Sequence, residues 1–148
     1  MSEIIQLAAA VLGTLGFAVL FNIRGKKLLF AALGGLLVWG VYLIAAHITA
    51  NEYLCGFLAS VMLTVYAECM ARVHRTPVTV FLVSAAIPLI PGGALYRAMD
   101  CLLRRDWEGA ADSGSYALLF AASMSAGITL TTVVIRSAWK HFRKERRM

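Results

Sequence analysis

The stretch with the most to say about chemistry is a run that alters the backbone, Ile87-Pro88-Leu89-Ile90-Pro91-Gly92-Gly93. Proline has no main-chain donor, so within a helix Pro88 leaves the carbonyl of Ser84 without its partner, and Pro91 does the same to Ile87. Gly92 and Gly93 weaken the helix further. The run falls near the middle of an apolar stretch, so a helix there is expected to break. Non-helical backbone survives at membrane depth only where it is buried in protein or lines a polar cavity. Transporters use such breaks as substrate sites, with half-helix N-termini facing anionic groups and freed carbonyls facing cations. A kink that only shapes packing is the alternative. Two prolines three apart, followed by two glycines, favour a functional break at Pro88, Pro91, Gly92 and Gly93.

Three ionisable residues lie in or beside apolar segments: Glu68, Asp100 and His47. An intramembrane charge is a functional candidate by default, less so near the interface. Glu68 precedes Arg72 by four, a spacing that allows an ion pair on one helix face. Asp100 lies one turn beyond Tyr96 on the same face, where it would serve as a gate, a proton site or simply a solvated helix end. His47 closes an apolar stretch and is expected at the interface. Cys55, Cys69 and Cys101 have neither CxxC nor metal-ligand spacing and read as packing residues. No GxxxxGK[ST] motif, metal cluster or nucleophile and base pair is visible, so neither a cofactor nor an enzyme is expected.

These residues are carried by five apolar stretches: residues 4–23, 28–48, 53–71, 78–99 and about 116–135. Each matches the roughly 20 residues that a spanning helix needs. The chain has 148 residues, 60% hydrophobic and 15% charged, with a mean hydropathy of +0.75. Such values place it in the membrane class and leave no room for a sizeable domain outside the bilayer. The expected fold is therefore an all-α integral membrane bundle of about five helices, a single domain over 1–148, its fourth span broken at Pro88–Gly93. Glu3 stands where a signal peptide would be basic, so a cleaved leader is not expected.

The net charge of +6 is concentrated at segment ends. Taken alternately, eleven Lys and Arg residues fall on one side and three, Arg97, Arg104 and Arg105, on the other. By the positive-inside rule the N-terminus is outside and the C-terminus cytoplasmic. A re-entrant fourth segment would place the basic tail, residues 136–148, outside, against that rule. The tail is suited to anionic lipid headgroups rather than to nucleic acid. The fifth stretch is rich in small and hydroxyl residues, including Ser123, Ser125, Gly127, Thr129 and Thr132, which permit close helix packing or line a polar path. Ala9-xxx-Gly13 and Ala31-xxx-Gly35 are weaker patterns of the same kind. Trp39, Tyr42, Tyr53, Trp107 and Trp139 are expected mostly near span ends, as an aromatic belt.

The segment Pro77–Asp100, with Thr79-Val80-Phe81, the Pro-Leu-x-Pro-Gly-Gly run and Tyr96-Arg97-Ala98-Met99-Asp100, resembles the threonine/serine exporter family. Gly16-Phe17-Ala18-Val19-Leu20-Phe21-Asn22 also looks like that family's first span. The chain resembles the short subunit type, which corresponds to the C-terminal half of longer one-chain members. That resemblance implies one half of an inverted-repeat secondary exporter in a bacterial inner membrane. It also implies a larger five-span partner with a cytoplasmic N-terminal portion, and leaves room for a higher oligomer. The implied substrate is a small carboxylate-bearing metabolite, threonine or serine first and a dicarboxylate such as succinate second. On this reading Pro88, Pro91, Gly92 and Gly93 meet the substrate, Asn22, Ser84 and Tyr96 assist, and Asp100 or Glu68 couples protons or gates. A non-transporting membrane scaffold and a homo-oligomeric pore are the rival classes.

Overall fold

A computed structural model describes residues 3–145, with side chains described through Trp139. Its helices are α1 (Glu3–Leu20), α2 (Lys26–Ile48), α3 (Glu52–Val73), α4 (Val78–Ala86), α5 (Gly92–Leu103) and α6 (Trp107–Glu145), with a 3-10 turn at Ile87–Leu89 between α4 and α5.

Local chemistry sets most of these boundaries. Asn51 caps α3, its side-chain oxygen accepting from the N–H groups of Tyr53 and Leu54 at 3.1 and 3.3 Å, the usual relief for unpaired donors at a helix start. Asp106 does the same for α6 by accepting from Gly109 N–H at 3.1 Å. Three helices end on a residue in the left-handed region, Asn22 after α1, Arg75 after α3 and Arg105 after α5. In each case the next N–H reaches back to a carbonyl five residues earlier: Ile23 to Ala18, Thr76 to Ala71 and Asp106 to Cys101, all at 2.9 Å. This closes the orphan carbonyls of the last turn. Holding a non-glycine residue there costs about 1–2 kcal/mol, so tertiary packing must hold these sharp reversals.

The helices run end to end through one bundle. Glu3 and His47 meet at 2.7 Å, so α1 and α2 are antiparallel, and α3 starts at that same end. α6 lies parallel to α3: Ser123 Oγ donates to the Tyr53 carbonyl at 2.5 Å, while the Arg72 guanidinium sits 4.0 Å over the Trp139 ring. Chain that leaves α3 at the Arg72 end must therefore return to the Glu52 end before α6 begins. α4 and α5 make that crossing, bent by 58° at the break. Among the described residues, four helices are long and apolar enough to cross a membrane, and the bent pair counts as a fifth when taken as one span.

Small residues dominate the core. Val38, Ala59, Leu63, Ala85, Ala86 and Leu89 form one cluster, and Ala18, Ile23, Ala31, Ala67 and Phe81 form another. The buried hydroxyls satisfy themselves along their own helices: Thr14 donates to the Ala10 carbonyl at 2.8 Å, Ser60 to Phe57 at 2.7 Å, Thr64 to Ser60 at 2.9 Å and Ser84 to Val80 at 2.9 Å. Leu12, Ile44, Leu118 and Val134 are exposed, as side chains facing lipid would be.

One expectation needs correction, and one helix extends beyond its apolar stretch. Trp39 does not belong to an interfacial belt. It lies near the middle of α2, packs against the first core cluster and stacks on Tyr42 with ring centroids 4.8 Å apart. The last helix begins at Trp107, nine residues before the apolar stretch at Tyr116, because the Asp106 cap starts a helix that continues through the polar Asp112-Ser113-Gly114-Ser115 turn. At about 1.5 Å per residue, its 39 residues reach about 58 Å, well beyond a bilayer core of about 30 Å.

Candidate functional site

The break sits at the mid-depth of the bundle. Leu89, in the 3-10 turn, packs with Val38 near the middle of α2 and Leu63 near the middle of α3. The local hydrogen bonding differs from that of an ideal helix with two donors deleted. The Ile87 carbonyl, expected to be free, accepts from Ile90 N–H at 3.2 Å. The 3-10 turn tightens to reach it, since an i to i+3 bond can use the donor one residue before the second proline. Ile90 is extended, its carbonyl accepts from Gly92 N–H at 2.7 Å, and the Pro91 carbonyl accepts from Ala94 and Leu95 at 3.1 Å each.

α5 therefore starts at mid-depth with Gly92 and Gly93 exposed and no side-chain cap. A Cβ placed on Gly92 would meet nothing within 4 Å, and one on Gly93 would meet only Arg97 Nη1, at 3.6 Å. The Arg97 guanidinium thus folds back beside the first turn of α5. A helix N-terminus carries partial positive charge, so it and the Arg97 guanidinium lie on the same side of the break.

Beyond the bend, α5 packs on α6 alone among the described helices. The break consequently lies between two cavities. One, of about 290 Å³, is lined by Gln6, Ala9, Ala10 and Gly13 of α1, Trp39 of α2, and Ile87 and Pro88. The other, of about 370 Å³, lies between Ile90, Pro91, Leu95 and the α6 face from Ala117 to Thr129, where Ser125 and Thr129 supply its hydroxyls. Pro88 faces one cavity and Pro91 the other.

The remaining residues singled out from sequence are more dispersed. Ser84 is buried just before the break, with its hydroxyl committed to Val80. Tyr96 is exposed on the second turn of α5. Asn22 forms the turn after α1 and accepts from Arg24 Nε at 2.8 Å. That end of α1 is opposite the Gln6–Gly13 stretch that lines the first cavity, so the structure does not bring Asn22 to the break. Asp100 pairs with Arg104 at 3.0 Å near the far end of α5. Glu68, 7% exposed, accepts from Arg72 at 3.0 Å near the opposite end of the bundle. The side chains of the basic tail from Lys140 onward lie outside the described residues. Sequence reasoning did not single out Gln6, Trp39 and Arg97 as site residues. A glutamine inside the first span was the one available signal for the first of them.

Among the described residues the chain is thus a bundle of apolar helices with one bent pair, whose break lies between two cavities. The chain belongs to the threonine/serine exporter family: the family described as "Threonine/Serine exporter, ThrE" matches residues 6–134. No solved structure matches it.

Proposed function

We propose that this chain is the smaller subunit of a two-part secondary exporter for threonine or serine, and that the broken helix is its substrate site. The observation that carries the proposal is the uncapped start of α5 at mid-depth, open at Gly92 and Gly93 and flanked by Arg97. A substrate carboxylate placed there would receive the helix N-terminus and a guanidinium together. The partner is a larger five-span membrane subunit with a cytoplasmic N-terminal portion, inverted relative to this chain. It would bring a second broken helix to the site, as inverted-repeat transporters require. The asymmetry of basic residues supports an N-terminus outside and a C-terminus in the cytoplasm of a bacterial inner membrane.

A dicarboxylate is the second reading, favoured by one feature of the break. Arg97 answers a carboxylate, whereas the nearby acid Asp100 is already paired with Arg104 and Glu68 is at the far end of the bundle with Arg72. An ammonium group would then depend on the partner for its counter-charge. Efflux from cells producing both subunits, compared with flux from this chain reconstituted alone, tests the proposal. Export by the pair and none by the single chain is expected. Robust flux through the purified single chain would overturn the two-subunit reading.

A further inference from the structure

A pocket of about 690 Å³ opens at the Glu52 end of the bundle, lined by Thr49, Ala50, Asn51, Glu52, Tyr53 and Tyr116. Its height follows from helix length. α1, α2 and α3 contain 18, 23 and 22 residues, about 27–35 Å at 1.5 Å per residue, which matches a hydrocarbon core of about 30 Å. The Glu3–His47 contact and the Asn51 cap of α3 therefore lie where hydrocarbon ends and lipid headgroups begin. α6 meets this level at Tyr116 and its first nine residues, from Trp107, lie beyond it, about 13 Å of helix. The pocket is thus a ledge at the foot of a protruding helix.

The ledge has the chemistry of a cation site. Glu52 is exposed, and among the described residues the ion pairs join other groups, Glu3 with His47, Glu68 with Arg72 and Asp100 with Arg104. The Tyr116 hydroxyl donates to Glu52 Oε2, which fixes the carboxylate while its second oxygen has no partner among the described residues. The Tyr53 and Tyr116 rings stand 5.7 Å apart, tilted by 44°, and aromatic faces beside a carboxylate suit an ammonium group. Asn51 spends only its oxygen on the α3 cap, so its amide hydrogens remain to donate. A staple between helices would not need this charge, since the Ser123 to Tyr53 bond and the close approach at Gly127 already join α6 to α3. We propose that the ledge binds the ammonium headgroup of a phospholipid, with Glu52 as counter-charge, Tyr53 and Tyr116 as aromatic contacts and Asn51 as donor to the adjacent phosphate. Its height favours a lipid over a soluble amine, because headgroups are held at that plane with ammonium and phosphate side by side. The inference depends neither on the broken helix nor on what the chain transports.

The full-length chain is purified in mild detergent, supplied with phosphatidylethanolamine and phosphatidylglycerol in equal amounts, and its bound lipid is read by native mass spectrometry. Preferential retention of one ethanolamine lipid per chain is expected. Glu52→Gln keeps an acceptor for Tyr116 but removes the charge, and should weaken retention about five- to tenfold, as for an ion pair or charged hydrogen bond at an accessible site. Tyr53→Leu should weaken it about two- to fivefold, the value of one exposed cation–π contact. N-acetylated phosphatidylethanolamine, which keeps the phosphate and loses the ammonium, should be held no better than phosphatidylglycerol. Retention of the N-acetyl lipid equal to that of its parent, or unchanged retention in a folded Glu52→Gln chain, would make this a phosphate or acyl-chain contact and overturn the inference. Displacement of the lipid by millimolar O-phosphoethanolamine or threonine would assign the ledge to a soluble amine and overturn it as well. The N-acetyl comparison needs no substitution, so the test survives misfolding of either variant. Efflux plays no part in the readout, and the exporter reading stands or falls separately.

Discussion

At the seam between α3 and α6, a Cβ on Gly127 would overlap the Ser60 hydroxyl and come within 2.9 Å of the Phe57 carbonyl oxygen. At the start of α5, a Cβ on Gly92 would touch nothing. Both positions lie in membrane-depth helices, yet the chain itself accounts for only one of them. Gly127 is needed because two backbones approach closely, as small residues allow throughout membrane bundles. Gly92 and Gly93 have neither a neighbour to avoid nor a left-handed backbone, and glycine in a helix costs about 0.5–1 kcal/mol relative to alanine. Nothing among the described residues requires them, which is what the proposed approach of a substrate or a partner helix to the break would lead one to expect. The two regions thus separate what builds the bundle from what the bundle presents.

The sharpest way to break that comparison is Gly127→Leu. Overpacking usually costs about 1–3 kcal/mol, and here the obstacle includes main-chain atoms that cannot rotate away. Loss of most folded protein from the membrane fraction, read by size-exclusion after mild heating, is expected. An unchanged thermal profile would mean that the α3–α6 seam is not as close as described.

Replacing Pro88 and Pro91 together with alanine restores main-chain donors and removes the bend. Insertion and assembly with the partner should survive, and substrate efflux per assembled complex should fall to background. Near-normal efflux from this variant would reduce the break to a packing kink. Gly93→Leu is the complementary probe: its side chain has open space within the chain, so folding should be unaffected while efflux is lost. Arg97→Gln should weaken apparent substrate affinity by about ten- to a hundredfold, as expected for a charge-assisted hydrogen bond worth about 1.5–3 kcal/mol. If the substrate carboxylate is held elsewhere, that variant will be indistinguishable from the unsubstituted complex.

The break was legible because the Pro-x-x-Pro-Gly-Gly run removes donors whatever surrounds it, and the Glu68–Arg72 pair was legible because i,i+4 geometry is local. Span positions followed from hydropathy for the same reason. What followed the break was not legible. The direction of α5, its packing on α6 alone and the return of Arg97 toward Gly93 depend on tertiary contacts that local rules do not contain. Trp39 was assigned to an interfacial belt because its type suits one, and only its register on α2 turns it toward Pro88. Asn22 stood out as a polar residue beside a span; its left-handed backbone, φ 57°, marks it as a turn former.

The smallest expected effect comes from the most conspicuous charge. Glu68 is a buried carboxylate at membrane depth and invites a role in proton coupling, but its surroundings are structural. Its oxygen is held by Arg72 at 3.0 Å, and the same guanidinium lies 4.0 Å over Trp139, so the group ties α3 to the C-terminal part of α6 rather than to the break. Glu68→Gln keeps a hydrogen-bond acceptor for Arg72 and leaves the contact with Trp139 in place. Removing one partner of a buried pair is costly when the other is left buried and alone, yet Arg72 is itself more than one-third exposed, 38% against 9% for Glu68, and retains its aromatic neighbour. The change should therefore lower thermal stability only slightly and leave more than half of the efflux, with the same pH profile as the unsubstituted complex. The decisive measurement is that profile: an efflux rate that loses its dependence on external pH in Glu68→Gln would make Glu68 a coupling site and shift the centre of function from the break to the α3–α6 end of the bundle.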